Sequence, residues 1–217
     1  MNLEQARFNM IEQQIRPWDV LDSHILHLLS VVKREDFVPA AQKALAFVDI
    51  EIKLPCGQFM LEPRVEARLL QDLAVQHHEK VLEIGTGSGY MAALLAHRCQ
   101  RVISLELEPE LAELARKQLH QAGIHNVEVR LADGSGGAPS DGLFDVILLS
   151  GSVAEIPPIL LAQLKVGGRL GAIVGQDPMM QATFVTRTGA AEFQTKRPWD
   201  TVAPRLRHFP EPAHFSF

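Results

Sequence analysis

The stretch Val81-Leu82-Glu83-Ile84-Gly85-Thr86-Gly87-Ser88-Gly89-Tyr90 decides how this chain reads. A short apolar run ends in an acid and then in glycines at alternate positions, the pattern of a buried parallel strand that turns sharply into a helix over a bound nucleoside. Glycine is needed where φ is positive or where the backbone approaches a ligand closely, and three in five residues exceed what an ordinary turn requires. The dinucleotide fingerprint G-x-G-x-x-G would place its third glycine where Tyr90 stands, which disfavours a nicotinamide or flavin cofactor. Glu83 also argues against phosphate, because a carboxylate beside a glycine nest repels an anion. A ligand carrying positive charge is therefore expected on Glu83, Gly85, Thr86, Gly87 and Gly89.

Further strands follow at matching intervals. Residues 101–106 form a second strand-like run whose terminal acid lies about twenty residues past Gly85, where an open α/β sheet places the group that accepts ribose hydroxyls. Glu106, with the adjoining Leu107, is the candidate ribose clamp. Residues 109–122 carry a proline in the first turn, apolar Leu111, Leu114, Ala115 and Leu119, and Gly123 past the end, which predicts an amphipathic helix. Residues 126–131 read as a third strand leading into Ala132-Asp133-Gly134. There Asp133 is placed to accept a hydrogen bond from an adenine amino group, and Gly134 lets the backbone come close. Strands over 144–150 and 166–174 flank an expected helix at 156–164, and 182–187 with 192–196 alternate as an antiparallel hairpin.

This order of elements resembles the S-adenosylmethionine-dependent methyltransferases of the seven-stranded class over residues 77–175. Met10-Ile11-Glu12-Gln13-Gln14-Ile15, Val32-Lys33-Arg34-Glu35-Asp36-Phe37-Val38-Pro39, Phe47-Val48-Asp49, Gly57-Gln58 before Pro63, and Gly167-Gly168-Arg169-Leu170 carry a closer resemblance. Together they resemble the protein-L-isoaspartate O-methyltransferase family over about residues 1–175. The resemblance implies S-adenosyl-L-methionine as cofactor and an isoaspartyl peptide or protein as methyl acceptor, a protein-repair reaction. It also implies a serine beside the cofactor, facing the isoaspartyl carboxylate, where this chain has Leu61. Met60, Leu61 and Arg64 are the candidate acceptor-side residues. Arg64 either presents a guanidinium fork to a carboxylate or lies on the surface of the helix over 63–73, the commoner fate of an arginine.

The loss of a hydroxyl does not by itself remove the chemistry. A carboxylate with a pKa of roughly 4 is already ionised near neutral pH, so methyl transfer needs no general base and the protein's task is alignment and exclusion of water. Three readings stay open: an isoaspartyl methyltransferase, a methyltransferase for another small or apolar acceptor lined by Phe59, Met60 and Leu61, and a catalytically silent cofactor-binding protein. Methyl transfer to isoaspartate is the leading one.

The bulk properties agree with an enzyme of this class. At 217 residues the chain suits one well-buried domain, with a helical, substrate-side lobe at 1–76, a cofactor core at 77–175 and a hairpin and tail at 176–217. The expected architecture is α/β: a Rossmann-like, doubly wound seven-stranded sheet with an antiparallel C-terminal hairpin and an N-terminal helical lobe. Lys plus Arg number 21 against 26 for Asp plus Glu, a net charge of −5, so no nucleic-acid partner is expected. Cys56 and Cys99 lack metal or CxxC spacing and are expected to be buried thiols in a reduced compartment. The nine histidines are scattered, with no metal-site spacing. No apolar run approaches membrane length and the first residues lack a secretory core, so a cytoplasmic monomer or homodimer is expected. Residues 198–212, rich in proline, are expected to pack across a neighbouring element or a partner chain, and no further catalytic element is expected in the few residues after Pro212.

Overall fold

The computed structural model describes residues 2–211. The amino-terminal part is helical. α1 (Leu3–Met10) is capped by the Asn2 side chain, which accepts the Glu4 and Gln5 N–H groups. α2 (Ser23–Val31) starts at Asp22, whose carboxylate accepts the His24 N–H. A two-stranded antiparallel ribbon, β1 (Ile52–Lys53) and β2 (Phe59–Met60), leads into α3 (Pro63–Leu73), which opens on a proline whose missing N–H would have been unpaired anyway.

The central sheet then forms from β3 (Lys80–Ile84), β4 (Arg101–Glu106), β5 (Val127–Leu131), β6 (Phe144–Val153), β7 (Leu164–Gln176), β8 (Met179–Arg187) and β9 (Phe193–Asp200). Its strand order is β5-β4-β3-β6-β7-β8-β9. The first five are mutually parallel, and β8 and β9 return antiparallel, giving the expected C-terminal hairpin. β4 lies on one side of β3 and β6 on the other, so the order reverses at β3, where open α/β sheets bind ligands beyond the carboxyl ends of their strands.

Alternation along the strands divides the core in two. Val81, Val102, Val129, Val146 and Leu148 face α3, α4 (Tyr90–Ala96), α5 (Pro109–Gln121) and the amino-terminal helices, in one continuous apolar cluster. Leu82, Ile84, Ile103, Leu105, Ile147 and Leu149 face the opposite side, closed by α6 (Pro158–Leu161) and by Phe209 from the tail. The helix expected over 156–164 is only this single turn. Pro157 and Pro158 supply no N–H, and Leu164 already pairs with Phe144 in the sheet.

β9 runs to Asp200 through Pro198, which an edge strand tolerates because one row of its backbone groups is unpaired. Trp199 ties this edge to α3 by donating to Asp72 Oδ2 at 2.8 Å, with Arg68 over its ring. Cys99 is buried as expected, but Cys56 is exposed because it sits on a one-turn loop with φ 57° between the two short strands. No described helix is long and apolar enough to cross a membrane.

Candidate cofactor and acceptor site

β3 ends at Ile84 and the chain turns through Gly85, Gly87 and Gly89, at φ 92°, 53° and 86°. A cleft opens there over the carboxyl ends of β3, β4 and β5, with Gly85, Gly87, Glu106, Leu107, Asp133 and Gly134 in its walls. The Glu106 carboxylate is oriented by two backbone donors, the Gly87 N–H on Oε2 at 2.8 Å and the Glu108 N–H on Oε1 at 3.0 Å. Each oxygen keeps a lone pair for a ligand hydroxyl. Asp133 caps the following turn through the Ser135 N–H at 2.9 Å and meets His208 Nδ1 at 2.7 Å. Burial opposes its ionisation, yet Ser135 and His208 hold its carboxyl below the usual range.

The structure corrects the reading of Glu83. Its side chain is wholly buried, accepting Ser104 Oγ at 2.6 Å and Ser150 Oγ at 2.9 Å, and it lines neither this cleft nor the next. Burial pushes its pKa up to about 8, so at neutral pH it is mainly uncharged. Glu83 therefore does not face a ligand in either cleft and stands as a strut beneath the loop. Gly89 lines neither cleft: a Cβ there would meet Ala115 Cβ at 3.2 Å, so this glycine lets α4 pack on α5. Gly134 both lines the cleft and makes room for Ile84. Thr86 turns away from the first cleft, its hydroxyl 2.6 Å from Ser104 Oγ.

The carboxyl-terminal segment supplies a wall that the sequence did not announce. Pro204, Leu206, Arg207 and Phe209 line the cleft, and the segment is pinned to β6 by Ser152 N–H to Pro204 O at 2.7 Å and Leu206 N–H to Ser152 O at 2.9 Å. Arg207 pairs with Glu108, and His208 with Asp133. The tail thus packs across a neighbouring element, β6, and in doing so walls the cleft. Pro212 and the residues after it lie outside the described residues.

A second cleft of about 20 Å³ adjoins the first, lined by Phe59, Met60, Leu61, Glu66, Thr86 and Tyr90. The two share Phe59, Gly85, Gly87 and Ser150, so they meet at the glycine loop. The volume suits one small polar group or a water. Leu61 is in its wall, and the Leu61 carbonyl accepts Arg34 Nη2 at 2.6 Å. Arg64 is in neither cleft. Its guanidinium lies 4.0 Å over the Trp18 ring and pairs with Asp49 at 3.1 Å and Glu62 at 2.7 Å, so neither a free carboxylate fork nor a plain surface arginine describes it.

Glu66, Arg34 and Ser150 were missed as site residues. For Glu66 the signal was present, because it shares the apolar stripe of α3 with Leu69, Leu70 and Leu73 at helical spacing, and a charge within such a stripe is informative. Among the described residues, no group of three or more His, Cys, Asp or Glu could hold a metal ion.

Comparison with known proteins agrees with this geometry. The family model for protein-L-isoaspartate(D-aspartate) O-methyltransferase matches residues 5–202. A protein-L-isoaspartate O-methyltransferase of Koribacter versatilis is 39% identical over 192 residues, 88% of this chain and 85% of that protein. A protein-L-isoaspartate O-methyltransferase 1 of Syntrophobacter fumaroxidans is 40% identical over 189 residues, 87% of this chain and 88% of that one. In three dimensions the chain is similar to a Plasmodium falciparum protein assigned as a protein-L-isoaspartate O-methyltransferase and solved with S-adenosyl-L-homocysteine. That TM-score is 0.80 at 18% identity, covering 95% of this chain and 99% of the other, a likeness of fold. With its family model matched from residue 5 to residue 202 and relatives near 40% identity across most of its length, the chain belongs to the protein-L-isoaspartate(D-aspartate) O-methyltransferase family.

Proposed function

We propose that the chain transfers the methyl group of S-adenosyl-L-methionine to the side-chain carboxylate of an isoaspartyl residue in a peptide or protein, a repair reaction. The observation that carries this reading is the junction of the two clefts at Gly85, Gly87 and Ser150. The donor set fits the cofactor: a carboxylate fixed by two backbone N–H groups at the end of β4 for the ribose diol, and Asp133 and Gly134 at the end of β5 for the adenine edge. Gly85, Gly87 and Leu107 complete the bed, Thr86 lines the adjoining acceptor-side cleft, and Glu83 supports the loop from below. When bound, the cofactor supplies an electrophilic methyl on a sulfonium. The chain's own work is to bring an already ionised carboxylate into line with that bond and to exclude water. No residue is assigned as a general base.

A second reading has a specific observation in its favour. Phe59, Met60 and Leu61 all line the acceptor-side cleft. Apolar contact is worth roughly 25 cal/mol per Å² removed from water, so an acceptor with an apolar body gains there. Transfer of a labelled methyl group to an isoaspartyl peptide, compared with a panel of small carboxylates, phenols and amines, separates the two. A cytoplasmic setting goes with either reading, supported by Cys56 and Cys99 as unpaired thiols.

A further inference from the structure

Glu66 sits where a helix of this kind would normally bury an apolar side chain. It is 3% exposed on the inner face of α3, among Val65, Leu69, Leu70 and Leu73. Taking a lone carboxylate out of water is strongly unfavourable, and the structure answers with Arg34, a fully buried guanidinium on the turn after α2 that ion-pairs with Glu66 Oε2. The pairing is incomplete. Arg34 turns its other terminal nitrogen to the Leu61 carbonyl, and no group among the described residues donates to Glu66 Oε1. Glu66 lines the acceptor cleft beside Leu61 and Met60, a few residues along the chain from the position where a hydroxyl was expected.

Its electrostatic surroundings come from several elements. Arg34 faces it from the turn after α2, with the buried Arg7–Glu35 pair alongside Arg34. Tyr90 faces it from α4 with an enclosed hydroxyl that has no partner, and Glu83 stands at the end of β3. Asp49 also feels the Arg34 charge. Burial pushes the Glu66 carboxyl up to about 7 even against Arg34.

We propose that Glu66, in its neutral form, donates its O–H to the acceptor carboxylate and so performs the alignment that a hydroxyl at position 61 would otherwise provide; this rests on the isoaspartyl reading. An ionised Glu66 would repel an anionic acceptor across a cleft of about 20 Å³. A neutral one makes a charge-assisted O–H···O⁻ bond, among the strong hydrogen bonds available to a protein. The anion's arrival itself favours the protonated state, so binding and protonation reinforce each other, and the acceptor carboxylate then balances the buried Arg34 charge that Glu66 no longer neutralises. The proton stays on Glu66 throughout, and nothing is transferred but the methyl group.

The test is the pH dependence of kcat/KM for an isoaspartyl peptide in the wild type, in Glu66→Gln, in Glu66→Leu and in Glu66→Leu combined with Leu61→Ser. The wild type should lose about tenfold or more between pH 7 and pH 8.5, because only the protonated donor is competent. Glu66→Gln keeps an N–H donor that does not titrate, so its profile should be flat over that range. Glu66→Leu should raise KM about tenfold at pH 6.5, and Leu61→Ser should recover most of that by restoring a donor. Cofactor affinity measured by calorimetry on each variant checks that the fold is retained. A wild-type fall-off that survives in Glu66→Gln, as it would if Glu83 were responsible, or a rate that rises through pH 7, overturns the inference while the isoaspartyl reading stands. No methylation of the peptide by the wild type at any pH overturns both. Should Glu66→Leu fail to fold, the wild-type and Glu66→Gln profiles decide alone.

Discussion

Glu106 Oε2 accepts the Gly87 N–H at 2.8 Å, so the end of β4 fixes the loop that follows β3. One carboxylate therefore does two things: it holds the glycine turn in its positive-φ shape, and it offers oriented lone pairs to a ligand hydroxyl. Removing it exposes an unpaired loop N–H and deletes the acceptor at once. Glu106→Ala should weaken binding of S-adenosyl-L-homocysteine at least about tenfold by calorimetry. Unchanged affinity would contradict the assignment of the ribose site.

Gly85 is confined from two sides. Its φ of 92° is open to glycine and strained for other residues, and a Cβ there would come 2.9 Å from Leu206 Cδ2 and 3.5 Å from the Ser150 carbonyl. Gly85→Ala should destabilise the protein by about 1–3 kcal/mol in urea unfolding. Adding Leu206→Ala should return only part of that, because the backbone strain persists. Full recovery in the double variant would show that the tail contact, and not φ, sets the requirement for glycine.

Glu83 gives the stability a pH dependence of known sign. In the unfolded chain its carboxyl ionises in the ordinary range near 4.5, and in the fold burial delays ionisation to about 8. Between those values the folded state holds more protons than the unfolded one, so this group's contribution falls as pH rises from about 4.5 to 8 and is constant above that. Glu83→Gln removes the term. Melting temperatures at pH 5.5 and 8.5 should differ less in the variant than in the wild type. An unaltered difference would mean that Glu83 is ionised in the fold.

Leu61→Ser should raise kcat/KM for an isoaspartyl peptide. With the Glu66 O–H on one acceptor oxygen, a hydroxyl in the cleft wall would pair the other, which Leu61 leaves bare, and one such bond is worth roughly 1–3 kcal/mol to a charged group, about tenfold or more in rate. Steady-state kinetics on the same peptide decide it, and no gain would place Leu61 outside the path of the acceptor carboxylate.

The sheet and the cleft at the carboxyl ends of its strands were legible because they are written in short-range pattern. Apolar runs ending in Glu106 and in Asp133, with glycines after β3, fix where the strands stop, and the strands' carboxyl ends are where the cleft opens. Depth was not legible in the same way. Glu83, one residue before the end of β3, and Glu106, the last of β4, look alike in sequence, but Ser104 and Ser150 enclose one while the other borders the cleft, and that depends on neighbours far along the chain. Gly89 serves Ala115, some twenty-five residues on, and Arg64 is taken by Trp18 and Asp49, contacts that no local spacing encodes. The tail's Leu206 and His208 carry no periodicity, so their place over the cleft emerges only from the bridge between Ser152 and Arg205.

The most direct measurement of the central claim is transfer of a labelled methyl group from S-adenosyl-L-methionine to a peptide containing one isoaspartyl residue, beside the same peptide with ordinary aspartate. Base-labile label on the isoaspartyl peptide is expected, with release of S-adenosyl-L-homocysteine in equal amount and none above background on the aspartyl control. Label on apolar carboxylates with none on the isoaspartyl peptide, at any pH between 6 and 8.5, would contradict the claim.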